Sequence, residues 1–182
     1  MLFRSVNDAI ASGSLFSGAA WQEVVANASR EGATLHFLGL LSDGNVHAHV
    51  AHLRALVEAS RAAGVRRVRV HVLLDGRDVP ETSALDYLHP FEVFLAGLRA
   101  PGFDARIASG GGRMRITMDR YEADWDMVAR GWAVHVHGEG PRFASAEAAV
   151  LAFRAAHHGI IDQDLPAFVV ADEMGQIGRA HV

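Results

Sequence analysis

TLHFLGLLSDGNVHAHVAHLRALVEASRAAGVRRVRVHVLLDGRD, residues 34–78, is the stretch that decides the fold. Its first eight residues, TLHFLGLL, form a continuous apolar run of strand length. That is the pattern of a strand covered on both faces. The cluster Ser42-Asp43-Gly44-Asn45 ends the run with turn and capping residues. Over residues 46–63, Val46, Val50, Leu53 and Val57 recur at helical spacing, and Gly64 closes the segment. Residues 66–74, RRVRVHVLL, alternate and then become wholly apolar. They predict a second strand, which leaves through Asp75-Gly76-Arg77-Asp78. A strand, a helix and a second strand in this order imply a parallel pair with a helical crossover.

The flanking sequence continues the alternation. Residues 17–31 predict a helix with Trp21, Val24, Val25 and Ala28 on one face, and Gly32 stops it. Residues 82–99 predict another, capped by Thr82 or Ser83 and kinked or split by Pro90. A short strand is expected over 105–109, with Gly110-Gly111-Gly112 as its flexible exit turn. Helices are expected over 121–133 and, behind a Ser145 cap, over 145–157; a last strand is expected over 167–171. His135 and His137 alternate as on a strand, and Trp21, Trp125 and Trp132 have the spacing of packed residues. The fold class is therefore α/β, a mostly parallel sheet flanked by helices.

Composition narrows the chemistry. The chain has 182 residues, half of them hydrophobic, enough for one domain or a large part of one. A net charge of −4 provides no basic field for nucleic acid or an anionic membrane. There is no Cys and no Lys; all 17 basic residues are Arg. Thiolate chemistry, Schiff bases and a P-loop lysine are excluded, and any anion site must be an arginine site. No apolar run approaches the roughly 20 residues that span a bilayer. The expectation is a cytoplasmic protein.

Ligands of such sheets bind beyond the carboxyl ends of the strands. Three polar turns sit there: 42–49, 75–78 and 110–120. In the first, His47, His49 and His52 form H-x-H-x-x-H. If all three were helical, His47 and His49 would point apart, and no carboxylate cluster completes a shell, so no metal site is expected. His47, just past the glycine turn, is the best candidate to touch a ligand. The second turn sets Arg77 between two acids, which is either a surface ion pair or an anion grip beside an acid/base Asp78. The third supplies Arg113, Arg115 and Arg120 behind the glycines. His36 and His71 lie within apolar strands and read as core residues or supports of a site. Ser42 lacks the context of a nucleophile.

Taken together, two long segments carry a family resemblance. LHFLGLLSDGNVHAHVAHLRALVEASRAAGVRRVRVHVLLDGRDVPETSALDYL and GGGRMRITMDRYEADW resemble the cofactor-independent (2,3-bisphosphoglycerate-independent) phosphoglycerate mutases over nearly the whole chain. In that family an alkaline-phosphatase-like domain carries two manganese ions and a serine nucleophile. A second α/β domain, inserted into it, binds the substrate. The resemblance implies that this chain is the inserted phosphotransferase domain, a fragment of a monomeric two-domain glycolytic enzyme acting on phosphoglycerate. It places substrate binding on His47, Arg77, Asp78, Arg113 and Arg120, with Asp78 also the catalytic acid/base. Two departures stand out. Asn45 replaces a usual glycine, and one extra residue separates Arg113 from Arg120, so Arg115 competes for the role of Arg113. The manganese ligands and nucleophile belong to the other domain, so the fragment alone is expected to be inactive.

Residues 1–5 and 176–182 read as translations of one sequencing adapter in opposite orientations, which leaves 6–175 as the native domain. Two other readings remain: another phosphomutase of the alkaline-phosphatase superfamily, and a non-catalytic module that binds small anions.

Overall fold

A computed structural model describes residues 2–118, 121–122 and 124–171, except for the side chains of Leu2 and Phe3. The elements run α1 (Leu2–Ala11), α2 (Ser14–Ser17), α3 (Ala19–Ala28), β1 (Leu35–Leu40), α4 (Val50–Ala62), β2 (Arg67–Leu74), α5 (Ala84–Leu98) and β3 (Asp104–Gly112). There follow α6 (Trp125–Trp132), a π-helical stretch (Ala133–His137), β4 (Arg142–Phe143), α7 (Ala146–Ala156), a 3-10 turn (Asp162–Asp164) and β5 (Phe168–Val170). The sheet order is β1-β2-β3-β5-β4. All neighbours are parallel except β3 and β5. The expected class, a mostly parallel sheet flanked by helices, is the one observed.

Strand periodicity divides the core. Val68, Val70, Val72 and Leu74 of β2 point to one face and are buried with Val57 of α4, Leu88, Phe91 and Leu95 of α5, and Val150 of α7. On the other face Leu73 joins Leu40 and Ile116 in a smaller cluster. Ser145 caps α7 as expected, its Oγ accepting from the Ala148 amide at 3.0 Å.

Several sequence expectations change. The helix expected from residue 46 begins at Val50, because the His49 side chain serves as its cap and accepts from the Ala51 amide. Val46 and His47 therefore lie in a loop, and Val46 is exposed. Pro90 sits within one continuous α5. The missing amide costs a hydrogen bond, but burial of Ala84, Leu88, Phe91 and Leu95 along one face holds the helix together. Ser83 does not cap α5 with its side chain; the Asp162 carboxylate accepts from the Ala84 amide instead.

The glycine run is not a turn. Gly110, Gly111 and Gly112 are the last residues of β3, and glycine is required there by close packing. A Cβ on Gly110 would lie 2.6 Å from Phe168 and Val72, and one on Gly112 would lie 2.3 Å from the Gln163 carbonyl oxygen. His135 and His137 are on the π-helical stretch rather than a strand. Trp21 packs edge-on against Phe16, but Trp125 and Trp132 are more than half exposed, so helical spacing alone did not make them core. α1 and β4 were not anticipated. Residues 2–5 form the first turn of α1, while the other residues of the expected tails lie outside the described residues.

Candidate active site

The three strand-exit turns meet at one buried carboxylate. Asp75, directly after β2, is 3% exposed. Its Oδ2 accepts from the Ser42 hydroxyl at 2.6 Å. Its Oδ1 accepts from the amides of Arg77 and Asp78, at 3.2 and 3.1 Å, and from the Arg113 guanidinium at 2.8 Å. An acid that accepts the amides two and three residues on closes a tight turn by itself. Gly76 supplies its left-handed backbone, with φ 65°. Burial disfavours the Asp75 carboxylate, but hydrogen bonds from Ser42, the Asp78 amide, Arg113 and the Arg77 amide outweigh it and hold its pKa below the usual carboxylate range.

Arg113 joins the turns. Its Nη1 donates to Asp75 and, at 2.7 Å, to Asp78 Oδ2. Its side chain is 7% exposed, against 14% for Asp78. Burial opposes its charge, but the two carboxylates prevail and raise its pKa. Position follows from the strand: the Arg113 amide donates to the Leu74 carbonyl, which extends the β2–β3 ladder by one rung. Arg115 points elsewhere, its Nε donating to the Asp164 carbonyl. Arg113, and not Arg115, is therefore brought to the acids.

The first turn is fixed at several points. The Val50 amide donates to the Ser42 carbonyl at 2.8 Å and closes the loop. Tyr87 donates its phenol to Asp43 Oδ1. Burial and this carboxylate push the phenol pKa up to about 12. Asn45 has φ 60°, so the residue that replaces the usual glycine adopts the left-handed backbone it tolerates. Gly44 lies against Asp78: a Cβ there would be 2.8 Å from the Asp78 Cβ. His47 and Arg77 are exposed beside this core, and neither side chain has a hydrogen-bond or ion-pair partner among the described residues. Arg120 lies outside the described residues.

The arrangement is a rigid acid–arginine centre with an exposed arginine and histidine at its edge. It suits an anionic ligand that carries hydroxyls. Among the described residues no group of three or more His, Cys, Asp or Glu is placed to hold a metal ion. A separate groove of about 610 Å³ runs past His47, His49 and His52, but its other lining residues, such as Val6, Leu38, Val46 and Leu53, are apolar and no Arg, Asp or Glu lines it, so it does not suit a phosphorylated acid. No helix among the described residues is long and apolar enough to cross a membrane.

Sequence reasoning did not single out Asp75 as the hub or Ser42 as its donor. The signal was there in the D-x-x-D and S-D-G turns, but only the fold shows which acid is buried. Asp162 was also missed. It accepts from Arg154 at 2.6 Å and from the Ala84 amide, and its Cβ lies where Gly76 leaves room.

Comparison with known proteins follows the same residues. The profile of the family described as BPG-independent PGAM N-terminus matches residues 6–181. A Leptospira interrogans protein named "Probable 2,3-bisphosphoglycerate-independent phosphoglycerate mutase" is 58% identical over 174 residues, which is 96% of this chain and 32% of that protein. One of Trypanosoma brucei brucei is 47% identical over 171 residues, 94% of this chain and 31% of that protein. A crystal structure of Leishmania mexicana phosphoglycerate mutase at low cobalt concentration superposes with a TM-score of 0.93 at 44% identity, covering 96% of this chain and 32% of that one. The chain thus spans about a third of the length of the relatives it matches.

Proposed function

We infer the function from one premise: this chain belongs to the BPG-independent phosphoglycerate mutase N-terminus family. It is the part of a phosphoglycerate mutase that holds the glycerate while the phosphoryl group moves between the 3- and 2-oxygens. The carrying observation is the buried Arg113 bridging Asp75 and Asp78 beside the exposed Arg77, whose side chain has no partner among the described residues. Arg77, with Arg113 and Arg120, holds the carboxylate and phosphate, since a guanidinium matches both bidentately. Asp78 delivers a proton to the 3-oxygen as the phosphoryl group leaves it for a serine outside this chain. It then takes the proton of the 2-hydroxyl when that oxygen receives the group back. His47 positions the substrate from the loop edge. Asp75 stays ionised and orients Arg113.

The family's two manganese ions belong with that serine, outside residues 6–171. The described residues offer no ligand set for them. The setting is cytoplasmic glycolysis, in a monomeric enzyme. Ser42 is no alternative nucleophile, because it is 2% exposed and its hydroxyl is committed to Asp75.

A chimaera tests this reading. Residues 6–175 replace the matching segment of the Leptospira interrogans mutase. It should interconvert 3- and 2-phosphoglycerate, and Arg77→Ala or Asp78→Asn should abolish turnover. The isolated chain should be inactive. An inactive chimaera, undiminished activity in either variant, or turnover by the chain alone refutes the reading.

A further inference from the structure

A second polar system crosses the opposite face of the sheet, and the mechanism above does not use it. His36 Nδ1 lies 2.9 Å from His71 Nε2, and His71 Nδ1 lies 2.7 Å from Ser109 Oγ. Ser109 Oγ lies 2.8 Å from His135 Nδ1, and His135 Nε2 lies 3.1 Å from Thr117 Oγ1. His71, Ser109 and His135 are buried. Each neutral imidazole offers one donor and one acceptor, and each hydroxyl can play both roles. The protons can therefore all run from Thr117 toward His36, or all in reverse, and either direction satisfies every link between neutral rings. Burial keeps the rings neutral, His71 with pKa about 3 and His135 about 4.

Three backbone irregularities meet on this chain. The β2–β3 register shifts after Val70, so His71 faces Ser109 rather than Ala108. Without that bulge the imidazole would meet a methyl group, and re-aiming a side chain is what a bulge does. The π-helical stretch Ala133–His137 carries His135, and such stretches recur at functional sites. At the far end, Thr117 has φ 72°, a rare conformation for a β-branched residue. The Met118 amide donates to the Ile116 carbonyl at 2.8 Å, closing a three-residue turn around it. A γ-turn with positive φ is strained and persists only when its surroundings impose it.

Those surroundings can be named. The Thr117 amide donates to the Met127 carbonyl at 3.1 Å. Gly131 of α6 comes so close that a Cβ there would lie 2.3 Å from Thr117 Oγ1. His135 holds that same oxygen. The turn lies between Arg113, which is fixed at Asp75, and Arg120 three residues further on.

We propose that His135 is a positioning residue: its link to Thr117 holds the strained turn that fixes the 113–118 segment, and with it Arg113, at the substrate site. The proposal rests on the function above. Ser109, His71 and His36 orient His135 from behind. A strained turn is kept because a relaxed one would send the chain elsewhere.

Paired variants test it in the chimaera. Thr117→Val removes the hydroxyl at constant shape, and Thr117→Ser keeps it. His135→Asn retains only the Nδ1-like group, and His135→Gln restores a group near Nε2. Thr117→Val and His135→Asn should raise KM for 3-phosphoglycerate about tenfold, the factor carried by one lost buried hydrogen bond. In both, kcat should change little. The Ser and Gln variants should stay near the parent. If KM holds in all four while the melting temperature falls, the chain is only a core brace and the proposal fails. An inactive parent chimaera would instead refute the mutase reading. The positioning proposal is then decided on the isolated 15N-labelled chain. Amide shifts of Met118, Tyr121 and Glu122 should move in Thr117→Val and His135→Asn and not in their partners. Unmoved shifts in all four overturn it.

Discussion

Replacing Arg113 by Met keeps most of the stem's volume and removes the guanidinium that two acids share. The variant leaves Asp75 and Asp78 facing the place where one nitrogen stood 2.8 and 2.7 Å from them. At about 5 Å and an effective dielectric of about 20, two carboxylates repel by roughly 3 kcal/mol. Breaking a buried pair from one side costs about 3–5 kcal/mol. Here the lower end applies, because Asp75 keeps the Ser42 hydroxyl and two amides, and Asp78 still reaches water. The expected loss is about 3 kcal/mol in urea unfolding at pH 7. Adding Asp78→Asn removes one of the two charges and should return about 2 kcal/mol, a coupling that only neighbours show.

The loss should also depend on pH. In the parent the Asp75 pKa is depressed, so its stabilisation is full above the ordinary value of 3.8 and fades only below it. In the variant the paired acids share a proton at higher pH, which relieves the repulsion. The difference between the two proteins should therefore shrink from pH 7 to pH 4. A loss below about 1 kcal/mol at pH 7, the worth of a surface pair, or a difference that does not change with pH, refutes the buried-hub argument.

Other outcomes follow from neighbouring residues. Arg77→Ala should leave stability within about 0.5 kcal/mol, as for an exposed side chain with no partner among the described residues, while abolishing turnover in the chimaera; equal losses in both would make Arg77 structural. Gly44→Ala forces a Cβ to 2.8 Å from Asp78, and the overpacking should cost about 1–3 kcal/mol in urea unfolding. Asn45→Ala should cost about 1 kcal/mol at its φ of 60°, and Asn45→Gly should not, as thermal melts of the pair will show. His71 and His135 have folded pKa values of about 3 and about 4, below the unfolded 6.5. The unfolded chain binds more protons between those limits, so stability is full above pH 6.5 and falls as pH drops toward 4. Each ring contributes at most about 1.4 kcal/mol per pH unit. His71→Gln should flatten that slope in an unfolding series; an unchanged slope would show that the ring is already protonated or wet.

Much of the molecule follows from local pattern. The apolar runs of β1 and β2 and the helical spacing between them fix the parallel unit, because strand and helix periods are properties of consecutive residues. The polar exits after those strands mark the ligand end of the sheet for the same reason. Asn45 is legible as well, since a left-handed turn accepts few side chains. The boundary of α4 was not, because His49 caps through its side chain and leaves the apolar-periodic Val46 in a loop. Pro90 was misleading in the other direction: its cost is local, and its compensation lies in the buried face of α5.

What the sequence alone determined is the class of fold, the ligand end of the sheet, the arginine-only anion chemistry and the family motifs. All of these depend on residue type and short spacing. The tertiary structure decided which acid is the hub, that Arg113 rather than Arg115 reaches it, and that three glycines finish a strand. It also joined His36, His71, Ser109, His135 and Thr117 into one system. These depend on contacts between residues 18 to 78 positions apart, such as His135 with Thr117, Arg113 with Asp75 and Ala84 with Asp162. Burial, which fixes the worth of a charge or the room for a Cβ, is set by neighbours that only the folded chain supplies.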